Sequence, residues 1–103
     1  DSVAKSDLKP GEGPSKEERE NGDYDAIFVG ESSEGELMIS SVQGDRDPGY
    51  GSTSKMLAEA AICLLKNPEL ASGGIWTPAA AMGDTLIERL QEHAGLTFQI
   101  EKG

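Results

Sequence analysis

The chain has 103 residues, 36% of them hydrophobic, and carries nineteen acidic side chains against nine basic ones for a net charge of −10. That size admits one domain, and a folded part of about 80 residues buries only ~60–65% of the surface its unfolded chain exposes, so its stability margin is thin. The charge argues against nucleic acid and anionic membrane surfaces, because affinity for phosphates comes from Lys and Arg displacing counterions.

The acidity is uneven: residues 1–47 hold thirteen acids and five bases, residues 48–103 six and four. Cys63 is the sole cysteine, so no disulfide framework forms within the chain, and a reducing, cytoplasmic compartment is the expectation. No run approaches the ~20 apolar residues that span a bilayer, and no charged-then-apolar signal segment opens the chain. The first residue is Asp1 rather than Met, from which we expect an excised or processed piece of something longer.

Residues 1–22 hold few apolar side chains, namely Val3, Ala4 and Leu8, and read as a flexible arm or surface loop. One helical turn is expected within them. Ser15 precedes Lys16-Glu17-Glu18-Arg19, and Glu18 falls where a capping box places its acid. The ordered fragment, residues 23–103, begins with the β-prone run through Ala26, Ile27, Phe28 and Val29 to Gly30. A second run, Glu36 to Val42, follows a polar connection containing Gly35. Two such runs read as an antiparallel hairpin.

Gly44 to Gly51 is dense in Gly, Asp and Pro and reads as a shaped loop. A helix follows, with Ser52 or Thr53 as the expected cap and Asn67-Pro68 as the stop. Between Lys55 and Lys66 the polar residues are Lys55, Glu59 and Lys66, spaced four and seven apart on one stripe. A helix apolar on all its other sides is normally covered on most of them. Gly73 to Trp76 reads as a short extended piece. Thr77-Pro78 starts a second helix, whose apolar face carries Met82, Leu86, Ile87, Leu90 and Ala94. Gly95 ends it, and Leu96, Phe98 and Ile100 alternate with polar residues as a last strand. The fold class is α+β: a small, largely antiparallel sheet of three to four strands with two helices, part of a larger second domain.

Few residues carry chemistry. His93 stands in the last turn of the second helix, where a surface or dipole-matching role suits it. Cys63 lies among apolar neighbours, where a thiol stays inert. Asp45 and Asp47 do not make a calcium loop, since Pro48 follows and Met56 stands where the bidentate Glu belongs. Gly30-Glu31-Ser32-Ser33-Glu34-Gly35 lacks the middle glycine of a dinucleotide fingerprint and opens no helix. The segment Gly49 to Lys55 gathers glycines, hydroxyls and a lysine at a helix start, which suits either an anion contact or plain capping. Its spacing is not that of a Walker loop.

Three blocks taken together resemble the C-terminal part of the saccharopine dehydrogenase-like oxidoreductases. They are Lys9-Pro10-Gly11-Glu12-Gly13-Pro14-Ser15, then Gly44-Asp45 with Asp47 to Glu59, and Gly73 to Gly83. The branch resembled is the one that includes trans-acting enoyl reductases of lipid assembly. The resemblance implies a parent enzyme with an N-terminal Rossmann domain for NAD(P), of which this chain is roughly the last quarter. The family's nucleotide-binding glycines have no counterpart here, so no cofactor site is expected in the chain itself. Asp47, Tyr50, Thr53 and Lys55 are the expected edge of the substrate cleft; no catalytic residue or metal ligand is assigned. The missing Rossmann domain is the expected partner, with self-association through uncovered apolar faces. The rival reading is a stand-alone interaction module that docks a partner through the apolar helix at residues 56–65.

Overall fold

A computed structural model describes residues 9–103; the part of the expected arm that falls in residues 1–8 lies outside the described residues. Helix α1 (Lys16–Asn21) is the expected helical turn. Ser15 Oγ accepts from the Glu18 N–H at 3.2 Å while the Glu18 carboxylate accepts from the Ser15 N–H at 2.9 Å. This reciprocal pair occupies two backbone donors that a helix start otherwise leaves without partners.

Strands β1 (Tyr24–Glu31) and β2 (Leu37–Gly44) pair antiparallel in unbroken register, from Tyr24 opposite Gly44 to Glu31 opposite Leu37. The turn between them is held by Ser32, whose Oγ accepts from the N–H groups of Glu34 and Glu36 at 3.2 and 3.1 Å. Strand β3 (Leu96–Lys102) lies antiparallel on the other side of β2, which makes β2 the central strand. The β2–β3 ladder contains a bulge: Ser40 faces Ile100 and Ile39 faces Lys102, leaving Glu101 as the extra residue.

Two long helices complete the α+β arrangement, α2 (Gly51–Lys66) and α3 (Pro78–His93), joined through a 3-10 turn at Pro68–Leu70. Asn67 ends α2, its Nδ2 donating to the Cys63 carbonyl at 2.9 Å. Helix α3 begins with Thr77 extended at the N-cap and Pro78 at the first helical position, as expected, although the Thr77 side chain makes no capping bond. The expected extended piece Gly73 to Trp76 joins no strand: Gly74 sits at φ 136° and Trp76 Nε1–H donates to the Ser72 carbonyl at 2.8 Å, folding the segment into a loop. No helix among the described residues is long and apolar enough to cross a membrane.

The core lies where α2, α3 and the near end of the sheet meet. Cys63, Ala81, Met82, Leu86, Leu90, Ala94 and Leu96 are buried there, with Val42, Met56, Ala60 and Phe98 packed around them. Met82, Leu86, Leu90 and Ala94 are four of the five residues expected on the inner face of α3; the fifth, Ile87, is at the rim.

Helix α2 sets a charged residue beside the apolar side chains of its inner face and leucines on its outer ones. Its contact with α3 contains an ion pair, Arg89 Nε to Glu59 Oε2 at 2.6 Å, with side chains only 20% and 17% exposed. The two atoms are cut off from solvent and not aligned as a hydrogen bond, so charge rather than N–H direction joins them. Meanwhile Leu57 and Leu65 on its outer faces are 72% and 80% exposed.

Removing one partner of a buried pair leaves an uncompensated charge, whereas replacing both with apolar groups does not. Since each side chain keeps some access to water, Glu59→Leu or Arg89→Leu alone is expected to cost about 1–3 kcal/mol, less than a fully buried pair. The double variant loses less than either single one, as checked by denaturant midpoints in a double-mutant cycle.

Candidate functional site

The loop between β2 and α2 turns on Asp47. Its Oδ1 accepts from the N–H groups of Gly49 and Tyr50 at 3.0 and 3.1 Å, and its Oδ2 from Gly51 at 2.6 Å. Its backbone is engaged as well: the Asp47 N–H donates to the Arg19 carbonyl at 3.1 Å, and its carbonyl accepts from the Ser52 N–H at 2.8 Å. One aspartate thereby fixes the end of α1, the loop and the first turn of α2. The backbone crowds closely enough that a Cβ on Gly51 would stand 2.8 Å from Asp47 Oδ2 and 2.9 Å from the Arg19 carbonyl oxygen, so this position requires glycine.

This corrects the expected cap of α2. Ser52 and Thr53 lie two and three residues past the N-cap, inside the first turn of the helix, which begins at Gly51 with Tyr50 as N-cap and no capping bond from the Tyr50 side chain. Ser52 is instead fully buried, its Oγ 2.9 Å from the Tyr24 hydroxyl. Thr53 Oγ1 donates to the Pro48 carbonyl at 2.6 Å, tightening the same loop.

The four residues expected at a cleft edge therefore lie on the loop and the first turns of α2 but do different things. Asp47 and Thr53 hold the backbone. Lys55 extends toward Asp45, Nζ to Oδ1 3.8 Å, in an exposed ion pair that contributes at most about 1 kcal/mol. Tyr50 is exposed, and its ring faces Gly13. A shallow hollow of about 290 Å³ opens beside it, lined by Gly13, Pro14, Arg19, Tyr50, Gly51 and Ser54. Arg19 reaches back to donate from Nη1 to the Pro14 carbonyl at 2.7 Å. Residues 9–15 and the 44–59 segment, separate in sequence, thus meet at this hollow. Gly13, Arg19 and Tyr24 are the neighbours that sequence reasoning missed. The Gly13-Pro14 pair and the cap at Ser15 were visible, but nothing in their spacing pointed to Tyr50.

The Asp47 carboxyl is kept below the ordinary aspartate range, first by the Gly51 N–H bond, against some desolvation, and further by the Tyr50 and Gly49 bonds and the Arg19 charge. That carboxylate, not Ser52 or Thr53, caps the helix, and it already takes the Gly49, Tyr50 and Gly51 N–H groups that an anion at this loop would use. Gly30 to Gly35 is the end of β1 and the hairpin turn, set between Glu31 and Glu36. That segment opens no helix whose N–H groups could meet the pyrophosphate of a dinucleotide.

His93 Nε2 lies 3.5 Å from Glu92, exposed at the end of α3, and Cys63 is buried. Neither faces the hollow beside Tyr50. No cluster of three or more metal-ligating side chains occurs among the described residues.

The chain is 41% identical over 93 residues to a protein of Mycobacterium tuberculosis named "Putative trans-acting enoyl reductase", covering 88% of this chain and 22% of the relative. It is 36% identical over 86 residues to a trans-acting enoyl reductase of Mycobacterium ulcerans, covering 82% of this chain and 20% of the relative. A trans-acting enoyl reductase of Mycobacterium bovis is 38% identical over 84 residues, with 80% and 20% covered. The relatives are thus named as reductases, and the chain spans only about a fifth of their length. No family model and no solved structure matches the chain.

Asp47 carries a pH signature. A carboxyl whose pKa is lower in the folded state stabilises the fold above its unfolded value and loses that contribution as pH falls through the folded one. Asp47→Asn, which keeps one acceptor oxygen but no charge, is expected to have a lower denaturant midpoint than the parent at neutral pH. The two curves converge as pH drops below 3.8, the ordinary aspartate value, and Asp47→Ala lies beneath both at neutral pH.

Proposed function

We propose that this chain is the C-terminal part of a larger NAD(P)-dependent oxidoreductase of the saccharopine dehydrogenase-like family, in its trans-acting enoyl reductase branch. The observation that carries the reading is the match of nearly the whole chain to about a fifth of proteins named as enoyl reductases. The exposed leucines of α2 support it, since apolar surface of that extent seldom stays bare. In this reading an N-terminal Rossmann domain outside this chain binds the nicotinamide cofactor in the cytoplasm. The present residues supply scaffold and one wall of the substrate cleft.

The wall is the loop at the start of α2. Tyr50 and Lys55 face outward from it and would touch substrate; Asp47 and Thr53 position them. The chain alone is not catalytic, and by itself it self-associates through the outer faces of α2. The same exposed face favours a second reading, in which the chain is a separate interaction module whose apolar helix docks another protein.

Expression of the longest reading frame that contains this chain separates the two. The first reading expects a strand followed by a G-x-G-x-x-G turn upstream, and a protein that oxidises NADH or NADPH while reducing an enoyl substrate. A frame without that fingerprint, yielding a protein that binds neither nucleotide, overturns it. In the active protein, Tyr50→Ala and Lys55→Ala are expected to raise KM several-fold with kcat little changed, as steady-state kinetics would read, because wall contacts bind ground and transition states alike.

A further inference from the structure

The two outer edges of the sheet are built differently. Natural edge strands are protected by charge, Pro, bulges or shortness, because their unpaired N–H and C=O groups recruit other strands. Strand β3 has such protection: a bulge at Glu101, polar Thr97 and Gln99, and Lys102 at its end. The Glu101 carboxylate is tied inward, accepting from Ser41 Oγ at 2.7 Å.

Strand β1 has none. Its eight residues contain no Lys, Arg or Pro, and its ladder with β2 runs without a bulge. Ile27, Phe28 and Val29 point alternately to the two faces of the sheet and are 66%, 57% and 63% exposed. A strand apolar on both faces is the pattern of a sheet interior covered on both sides. Charge disfavours a second copy at this edge in its centred register. In a second copy of β1 paired antiparallel about Phe28, Asp25 stands directly opposite Glu31 at both ends, and like charges so placed destabilise a sheet. Each copy also has a charge of −10. By contrast, most of the length of the relatives lies outside this chain, which spans 22% and 20% of them.

We propose that β1 is an interior strand of a wider sheet, its free edge paired with a strand from the part of the longer protein outside this chain. The sheet then ends at β3 and continues past β1. This inference rests on the reading of the chain as part of a larger protein.

Backbone amide exchange tests it, since an edge strand hydrogen-bonds only alternate residues through its one neighbour and an interior strand bonds all of them. In this chain by itself, alternate amides from Ala26 to Gly30 exchange fast; in the longer protein all five are protected. Alternation that persists in the longer protein overturns the proposal. So does full protection that fades on dilution, which would mark a second copy as the occupant. Full protection in a longer protein that reduces nothing leaves the pairing standing while the reductase reading falls, and alternation in an active reductase does the reverse. As an independent measurement, Val29→Lys is tolerated in the short chain and lowers the melting temperature of the longer protein. An equal effect in both counts against the proposal.

Discussion

A single carboxylate organises the chain's front half. Asp47 gathers three consecutive N–H groups at the start of α2 and, through its own backbone, links the end of α1 to that helix. A helix start leaves several donors without intrahelical partners, and an acid there also meets the positive end of the helix dipole. Both demands are met by one residue outside the helix. With the loop closed in this way, Tyr50 and Lys55 project from a fixed backbone, which a loop rich in glycine would not otherwise provide.

The rear half depends on a different economy. Helix α2 spends its one internal acid, Glu59, on Arg89 of α3, and turns leucines toward solvent. In a self-contained domain of this size the opposite arrangement is expected, because apolar burial is the main favourable term and the core is already small. Cys63 and its neighbours form a core that reaches only the near end of the sheet. Beyond Val42 and Phe98, the sheet residues Phe28, Met38 and Ile100 are exposed.

Much of the fold was legible because local chemistry and global packing agree. The Ser15 cap, the hairpin around Gly35, the inner face of α3, and the stop at Gly95 followed by β3 each have a local cause that the fold preserves. The cap of α2 was not legible in the same way. Ser52 and Thr53 are good capping residues by type, but Asp47 offers two oxygens on one short side chain and reaches three donors, moving the helix start back to Gly51. The segment Gly73 to Trp76 looked extended because of Ile75 and Trp76; two preceding glycines and the Trp76 bond to Ser72 folded it into a loop instead. The joining of residues 9–15 to the Tyr50 loop was invisible, since it depends on long-range placement rather than on any local pattern.

Cys63 has a consequence of its own. Its sulfur lies wholly inside the contact between α2 and α3, beneath the same helix whose far side is bare. A thiol there meets reagents only when the two helices part, so its modification rate becomes a clock for that separation, read at a residue the chain already carries. Anything that settles on the outside of α2 and pins it in place will slow the clock, from the opposite side of the helix and without touching the sulfur.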